Sequence, residues 1–313
     1  MCYEGSRMLR DGLRSRSISA FVALLASFLL VAVPAGSAPV RDHMRTLARV
    51  GDRVAYRQGF VLGVGVNVIE ANLADPEVRI AVMVARGGIG RAESFASMMR
   101  RAQPTAAITG TFFGLKNRQP TGDLRVHGQD LFRGFVGTAV AITEGNLVAF
   151  IDTRRREKVD WSLYETVIRG GPRLVKDGAF AVRARRQGFR TLAVRTRRHR
   201  TAVGLTRDNR LLLVAVRQGI TLYELAKVMR AMGAYHAVAL DGGTSTAMYF
   251  RGRHIANPRR VLTNALLIYA SREAYERAAP EFAPGVLPRA GKPSAGEPPA
   301  DRPGTPAPDR APE

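Results

Sequence analysis

The sequence predicts an α+β protein with a mixed, mostly antiparallel sheet and few helices. Short apolar runs separated by Gly, Pro, Asn and Asp turns recur between residues 60 and 269, and this pattern is typical of strands. Only two segments clearly show the 3.6-residue spacing of an amphipathic helix. The second helix lies between two strands, so one strand–helix–strand unit leads into an Asp-Gly-Gly motif, and such a unit implies a crossover connection.

The N-terminal residues 1–38 have the pattern of a secretory signal peptide. Four arginines precede a 16-residue apolar run at 18–33, and the small residues Gly36 and Ala38 follow it. We expect cleavage after Ala38 and export to the periplasm or the medium. The alternative is an uncleaved anchor, although the run is shorter than the ~20 residues of a spanning helix. Membrane contact is expected only through such an uncleaved segment.

The composition excludes cysteine-based sites from the exported part and indicates that the partner is anionic. Cys2 is the only cysteine of the 313 residues and precedes the predicted cleavage site, so the exported part has no disulfide, thiolate metal site or cysteine nucleophile. The formal net charge of +22 favours anionic partners, here an anionic glycan or a sugar-phosphate polymer. Export argues against nucleic acid as the partner.

Three further segments are predicted after the signal peptide. Residues 39–59 are a polar, partly helical lead-in, and residues 60–279 are the folded domain. Residues 280–313 hold ten of the 17 prolines and are expected to form a disordered tail.

Both predicted helices have recognisable N-terminal caps. Ser94 precedes a short helix whose apolar residues share one face. Thr221 and Glu224 form a capping box at the start of a helix that runs through Ala231, and Gly233 is suited to end it.

The strongest functional signal is Asp241, which follows the apolar strand 237–240. Gly242 and Gly243 permit a tight turn that can aim N–H groups at an anion. The hydroxyls of Thr244, Ser245 and Thr246 add donors. The alternative is an Asp-Gly turn that merely joins two strands.

Three other stretches add candidate residues. Thr109 ends a strand and is followed by Gly110, Thr111 and two aromatics, of which one is expected in the core and Phe113 on a pocket wall. Arg169 and Gly170 belong to an Arg-Gly-Gly-Pro stretch and are expected to bind the substrate or its phosphate. Residues 183–200 contain eight arginines and no acid, which is either a solvated surface or a loop that meets a polyanion. Its last residue, Arg200, is followed by Thr201 at the start of a strand.

These pieces together resemble the phosphodiester glycosidase domain family. They are, in order, the stretches 107–113, 169–174, 200–204, 219–226, 240–246 and 264–265. Any one of these stretches is weak evidence for the family, but the ordered set is specific and spans about residues 60–269. The chain departs from the family pattern at Thr109-Gly110-Thr111 and at 216–219, where the second departure removes an acidic residue.

The resemblance implies hydrolysis of a sugar phosphodiester in envelope or extracellular glycans, with bacterial members linked to exopolysaccharide. A phosphate monoester leaves as a stable anion with a second pKa near ~6, so one carboxylate can suffice where ordinary glycosidases use two. We expect Asp241 to be that carboxylate. Arg200 and the 242–246 turn would hold the phosphate, while Thr109 and Phe113 would line the sugar side.

Several alternatives stay open. No cofactor is required by this chemistry, but Asp241 is also suited to bind a divalent cation such as calcium. His199 and His236 are interpreted as structural. A non-catalytic protein that binds anionic polysaccharide, or that assists exopolysaccharide assembly, would show the same basic surface.

Overall fold

A computed structural model describes residues 43–135 and 137–283. The predicted signal peptide at 1–38 lies outside these described residues, and so does the predicted tail beyond residue 283. In the described part, no helix is long and apolar enough to cross a membrane.

The strands outnumber the helices, as expected for the α+β class. The strands are β1 (Arg45–Val50), β2 (Val54–Val61), β3 (Val64–Asn72), β4 (Arg79–Val84), β5 (Ala106–Thr109), β6 (Leu124–Val126), β7 (Gln129–Phe132), β8 (Thr138–Ile142), β9 (Val148–Asp152), β10 (Thr166–Gly170), β11 (Arg173–Lys176), β12 (Ala179–Phe180), β13 (Arg198–Thr206), β14 (Arg210–Ile220), β15 (Ala234–Leu240), β16 (Met248–Phe250), β17 (Arg253–Ala256) and β18 (Asn264–Tyr269). The α-helices are α1 (Phe95–Ala102), α2 (Leu192–Arg195), α3 (Leu222–Ala231) and α4 (Arg272–Ala278).

These strands form three sheets. The first has the order β1-β2-β3-β14-β13-β15-β11-β12, the second β7-β6-β10-β8-β9, and the third β17-β16-β5-β18-β4. All strand pairs between described residues are antiparallel, which confirms the predicted antiparallel character.

Strand β14 shows how the core is divided. Leu211, Leu213 and Ala215 belong to the large hydrophobic cluster that also includes the third sheet. The alternate residues, Leu212 and Val214, belong to the cluster that packs against α3. Because side chains alternate between the faces of a strand, a continuous apolar run is needed to bury both faces.

The predicted strand–helix–strand unit is β14–α3–β15, and its helix begins where the capping box predicted. Thr221 Oγ1 accepts a hydrogen bond from Glu224 N at 3.2 Å, and Glu224 Oε2 accepts one from Thr221 N at 2.7 Å. Strand β13 lies between β14 and β15 and is antiparallel to both. The unit therefore places the end of β15, where Asp241 follows, beside the start of β13.

Two features at the ends of the domain differ from expectation. The lead-in is not helical, because β1 and β2 form a hairpin that pairs with β3. At the other end, Phe282 falls within the predicted tail, yet it is 1% exposed and packs its ring 5.3 Å from that of Tyr275. The apolar surface of Phe282 accounts for this order, since its burial is favourable.

Candidate active site

The three sheets meet around the end of β15. Asp241 N donates to Gly110 O at 3.0 Å and thus joins the first sheet to the third. Gly171 N donates to Ala239 O at 2.7 Å, and Thr111 Oγ1 donates to Arg169 O at 2.5 Å, which bring in the second sheet. These three contacts place the motifs singled out in the sequence at one junction.

Asp241 carries a buried carboxylate at this junction, with a residue exposure of 6%. Its Oδ2 accepts a hydrogen bond from Arg260 Nη2 at 2.9 Å. Burial raises the pKa of Asp241, while hydrogen bonds from Ser245, Arg260 and the Gly242 N–H oppose that rise. A carboxylate desolvated in this way and held by one cation is a common arrangement for a catalytic acid or base.

The turn after Asp241 is a short 3₁₀-helix, Gly243–Ser245. A side chain at Gly242 would bring its Cβ to 2.7 Å from His199 O, so glycine is required there for close approach. Gly243 has a φ of +60°, a conformation that glycine adopts without strain. Ser245 is buried, whereas Thr244 is exposed. The turn thus packs tightly against the start of β13 while one hydroxyl reaches solvent.

Arg260 is the site residue that the sequence analysis missed. Its Nε donates to Ser245 Oγ at 2.5 Å, and its guanidinium carbon lies 4.6 Å from the centre of the Phe113 ring. The neighbouring Arg259 N donates to Thr244 O at 2.7 Å, which fixes this loop against the turn. Arg260 lies in a loop between β17 and β18, and no motif in the sequence marked it.

Arg200, the predicted phosphate ligand, has a different role. Its guanidinium donates to three backbone oxygens: Ile220 O at 3.1 Å, Ala193 O at 3.0 Å and Thr196 O at 2.5 Å. Burial, with a contribution from Arg198, lowers the pKa of Arg200 to about 10. We therefore correct the phosphate assignment: this buried cation holds a loop in place, and Arg260 is the cation that reaches Asp241.

Thr201 and Thr109 are both at the junction. Thr201 Oγ1 donates to the backbone oxygen of Asp241 at 2.6 Å and so fixes the strand end. Thr109 ends β5 and is only 1% exposed. The expected place of Thr109 on the sugar side stays a prediction. Phe113 is half-buried and therefore more exposed than Thr109, as a residue on a pocket wall would be.

The two neighbouring aromatics were expected to divide between core and pocket, but both are half-buried. Phe113 lies beneath Arg260, as described. The ring of Phe112 is 5.8 Å from that of Phe189. Phe189 occupies the space that a side chain at Gly171 would need. The expectation of a core position for one of them was wrong, because the ring of Phe112 lies next to Phe189 and that of Phe113 next to Arg260, and both partners are in loops.

Arg169 is fully buried and lies in β10, where its Nη2 is 2.8 Å from Asp123 Oδ2. Asp123 also accepts hydrogen bonds from Trp161 Nε1 at 2.8 Å and from Gly134 N at 2.6 Å. Burial lowers the pKa of Arg169, and Asp123 opposes that shift. The predicted phosphate contact of Arg169 is therefore corrected to an internal ion pair that supports the following Gly170.

Asn264 links the start of β18 to the end of β5. Its Oδ1 accepts a hydrogen bond from Thr111 N at 2.7 Å, and Gly110 N donates to its backbone oxygen at 3.2 Å. A Cβ on Gly110 would overlap Asn264 Oδ1. Likewise, a Cβ on Gly170 would come within 2.6 Å of Ala239 O. Glycine at position 110 therefore allows the close approach of β5 and β18 within the third sheet, and glycine at position 170 allows β10 of the second sheet to approach β15 of the first.

The two histidines remain outside this arrangement. His236 Nδ1 is 2.8 Å from Arg173 Nη2, and burial lowers the pKa of His236. His199 contributes its backbone oxygen to the close contact with Gly242. Between residues 43 and 283, leaving out Val136, no group of three or more His, Cys, Asp or Glu side chains could hold a metal ion.

The site therefore pairs a single carboxylate with a single cation. One buried carboxylate, Asp241, faces one cation, Arg260, and both are next to the hydroxyl of Ser245. An arginine bound to one carboxylate keeps donors for a second anion, and its planar fork suits phosphate. Such an arrangement can act on a substrate that carries its own negative charge.

Comparison with known proteins identifies the family to which this region belongs. The phosphodiester glycosidase family profile matches residues 102–269, a range that contains the junction from Thr109 to Asn264. No curated protein sequence gives a significant match.

Two solved structures share the fold. The catalytic domain of zebrafish N-acetylglucosamine-1-phosphodiester alpha-N-acetylglucosaminidase, auto-inhibited by its pro-peptide, is similar with a TM-score of 0.57 and 17% identity, covering 72% of this chain and 87% of that one. A hypothetical protein from Synechocystis is similar with a TM-score of 0.55 and 15% identity, and the match covers 69% of this chain and 62% of that chain. Since the profile matches more than half of the sequence, the chain belongs to the phosphodiester glycosidase family.

Proposed function

We propose that this protein is an exported hydrolase that cleaves a sugar-1-phosphodiester in envelope or extracellular glycans. The observation that carries the proposal is the buried Asp241 carboxylate paired with Arg260 at 2.9 Å. Family membership supports the reaction class. The apolar leader at 1–38 in the sequence supports export to the periplasm or the medium.

The chemistry follows from the leaving group. Water attacks the anomeric carbon, the bond from that carbon to the phosphate oxygen breaks, and the phosphate monoester departs with the bonding electrons. Because this anion is stable near neutral pH, it needs little protonation. Asp241 acts as the carboxylate that accepts the water proton or stabilises the cationic sugar in the transition state.

Arg260 is suited to the phosphate side of the reaction. It is 27% exposed at its side chain, so a substrate can reach it, whereas Asp241 is 8% exposed. Negative charge grows on the departing oxygen in the transition state, and a positioned guanidinium stabilises that charge. The Phe113 ring, 4.6 Å from the guanidinium carbon, would hold Arg260 in place and provide a flat apolar wall for the sugar.

The test is the release of free sugar from a panel of sugar-1-phosphodiesters by the purified protein. We expect Asp241→Asn to lower kcat by about 10²–10⁴-fold, the usual contribution of one acid–base group. The matched control is Asp208→Asn, since Asp208 is 65% exposed and lies in the β13–β14 turn. Full activity in Asp241→Asn would exclude the catalytic role.

A second candidate is a non-catalytic protein that binds anionic polysaccharide or assists its assembly. The exposed arginines between residues 183 and 198 favour this reading. It predicts salt-sensitive binding of the polymer, no release of sugar, and no effect of Asp241→Asn on that binding.

A further inference from the structure

Residues 181–198, here called the basic loop, border the candidate site on two sides. Phe189 lies against Gly171 and 5.8 Å from Phe112. At the other end, Arg198 Cδ lies 4.0 Å from where a Cβ on Gly243 would be. The most basic stretch of the sequence is therefore next to the turn that follows Asp241.

The basic loop is held in a defined position by contacts with the sheet. Gln187 Oε1 accepts a hydrogen bond from Arg173 N at 2.7 Å. The buried Arg200 binds the carbonyl oxygens of Ala193 and Thr196. Arg197 forms an ion pair with Glu224 at 2.9 Å. These contacts explain why Arg200 is buried: it lies in β13, beneath the basic loop, and its guanidinium binds the backbone of that loop.

Several arginines of the basic loop have no anionic partner among the residues that the structure describes. Five are exposed and form no ion pair or side-chain hydrogen bond within the part of the chain that the structure describes: Arg183, Arg185, Arg186, Arg190 and Arg195. Three of them lie within the sequence 183–186, and their segment lines an open depression of about 510 Å³. Like charges held this close repel one another, so an anionic partner relieves the repulsion.

We propose that the basic loop is a secondary binding surface for a phosphodiester-linked polymer, whose end enters the site at Asp241. This inference rests on the proposed function and specifies its substrate class. A polymer carries one phosphate per repeat, so several arginines can bind successive phosphates while Arg260 binds the one that is cleaved. A single small phosphodiester would use only Arg260 and gain nothing from the loop.

The experiment compares two triple variants of the full-length protein. The loop variant is Arg185→Gln, Arg186→Gln and Arg190→Gln. The matched control is Arg45→Gln, Arg49→Gln and Arg253→Gln, which removes the same charge from exposed positions. Its β1 residues lie five strand spacings, about 24 Å, from β15 in the first sheet.

The probe is poly(glycerol phosphate), with glycerol 3-phosphate as the single-phosphate ligand. By calorimetry at fixed ionic strength, we expect the loop variant to lose about tenfold in affinity for the polymer. The control variant should keep its affinity for the polymer. Glycerol 3-phosphate should bind the wild-type protein, the loop variant and the control variant equally weakly. Equal losses in the two variants would overturn the proposal, because non-specific attraction then explains the binding.

Hydrogen exchange locates the bound polymer without relying on turnover. We expect protection of residues 185–198 and 242–246 when the polymer binds. Protection confined to other segments would overturn the proposal. If the loop results hold but no phosphodiester is hydrolysed, the proposed enzymatic function fails while the binding surface stands. If small phosphodiesters are hydrolysed and the loop variant binds polymer normally, only the present inference fails.

Discussion

Arg260 divides its guanidinium between Asp241 Oδ2, at 2.9 Å, and Ser245 Oγ, at 2.5 Å. The two acceptors belong to one turn, so a single side chain from another loop fixes both the carboxylate and the turn that follows it. This sharing makes the ionisation of Asp241 depend on a residue that lies in a different loop.

The first prediction concerns the pH dependence of activity. Burial raises the pKa of Asp241, and Arg260 opposes the rise. Since the reaction needs the carboxylate, activity increases as the pH rises through this pKa. Arg260→Gln removes the opposing charge, so we expect the acid limb of kcat/KM to move to higher pH. The measurement is a pH profile on a sugar-1-phosphodiester.

The matched control for this profile is Arg259→Gln, because Arg259 is exposed and contacts the turn through its backbone. Its acid limb should coincide with that of the wild-type protein. A lower kcat in Arg260→Gln with an unmoved acid limb would contradict the coupling between the two side chains.

The second prediction is a stability effect at Asp123, which pairs with the fully buried Arg169 at 2.8 Å. Arg169 Nε and Nη1 are also buried without a hydrogen-bond partner among the described residues. Asp123→Asn leaves this cation uncompensated, so we expect a loss of about 3–5 kcal/mol in the free energy of unfolding. Urea denaturation measures this loss.

Asp177→Asn is the control for Asp123→Asn, since the Asp177 side chain is 59% exposed. It should change the free energy of unfolding by less than about 0.5 kcal/mol. Similar values for the two variants would show that the buried pair does not contribute to stability.

The third prediction concerns the approach of β5 to β18. A Cβ at position 110 overlaps Asn264 Oδ1, so Gly110→Ala must displace this buried side chain and disrupt its hydrogen bond from Thr111 N. We expect a loss of about 1–3 kcal/mol in stability, together with reduced activity because Gly110 O accepts the hydrogen bond from Asp241 N. Thermal unfolding and sugar release measure the two effects.

Gly219→Ala provides the comparison for Gly110→Ala. A Cβ there meets Arg197 Cβ at 3.6 Å, an ordinary contact. We expect this variant to behave like the wild-type protein. If Gly110→Ala were equally silent, the steric explanation for that glycine would be wrong.

The fourth prediction uses the capping box of α3. Hydrogen bonds from the backbone and side chain of Thr221, together with Arg197, lower the pKa of Glu224 to about 2. A carboxyl with a lowered folded-state pKa stabilises the fold above its ordinary pKa of 4.5 and loses this effect as the pH falls through about 2.

The variant Glu224→Gln should therefore be less stable than the wild-type protein at neutral pH, and the difference should shrink between pH 4.5 and pH 2. Denaturation of both proteins with guanidinium chloride, at several pH values in this range, measures the difference in stability. Glu273→Gln, at a side chain that is 83% exposed, is the control. A difference that does not change with pH would exclude the carboxylate as its source.

Much of the architecture could be predicted from local patterns. The Thr221–Glu224 capping box depends on neighbours in the sequence, and it is confirmed. The prediction of a partly helical lead-in was wrong because residues 45–50 form an edge strand, and pairing with β2 stabilises that strand.

The site shows the limit of such patterns more clearly. Asp241 follows a buried strand and is flanked by glycines, so its neighbourhood identifies it. Arg260 and Arg200 are both arginines near motif positions, and sequence does not say which one donates to a carboxylate and which to backbone carbonyls. That choice depends on how three sheets pack, through contacts between residues far apart in the sequence such as Asp241 N to Gly110 O.

The meeting of three sheets at Asp241 also affects how the protein can tolerate change. Each sheet contributes strand ends to the junction, among them those at Gly110, Gly170 and Asp241. We therefore expect β1 and β2, which are separated from β15 by other strands of the first sheet, to accept added residues without altering the distances around the carboxylate. The arrangement around Asp241 would then be preserved when the outer edge of the first sheet changes.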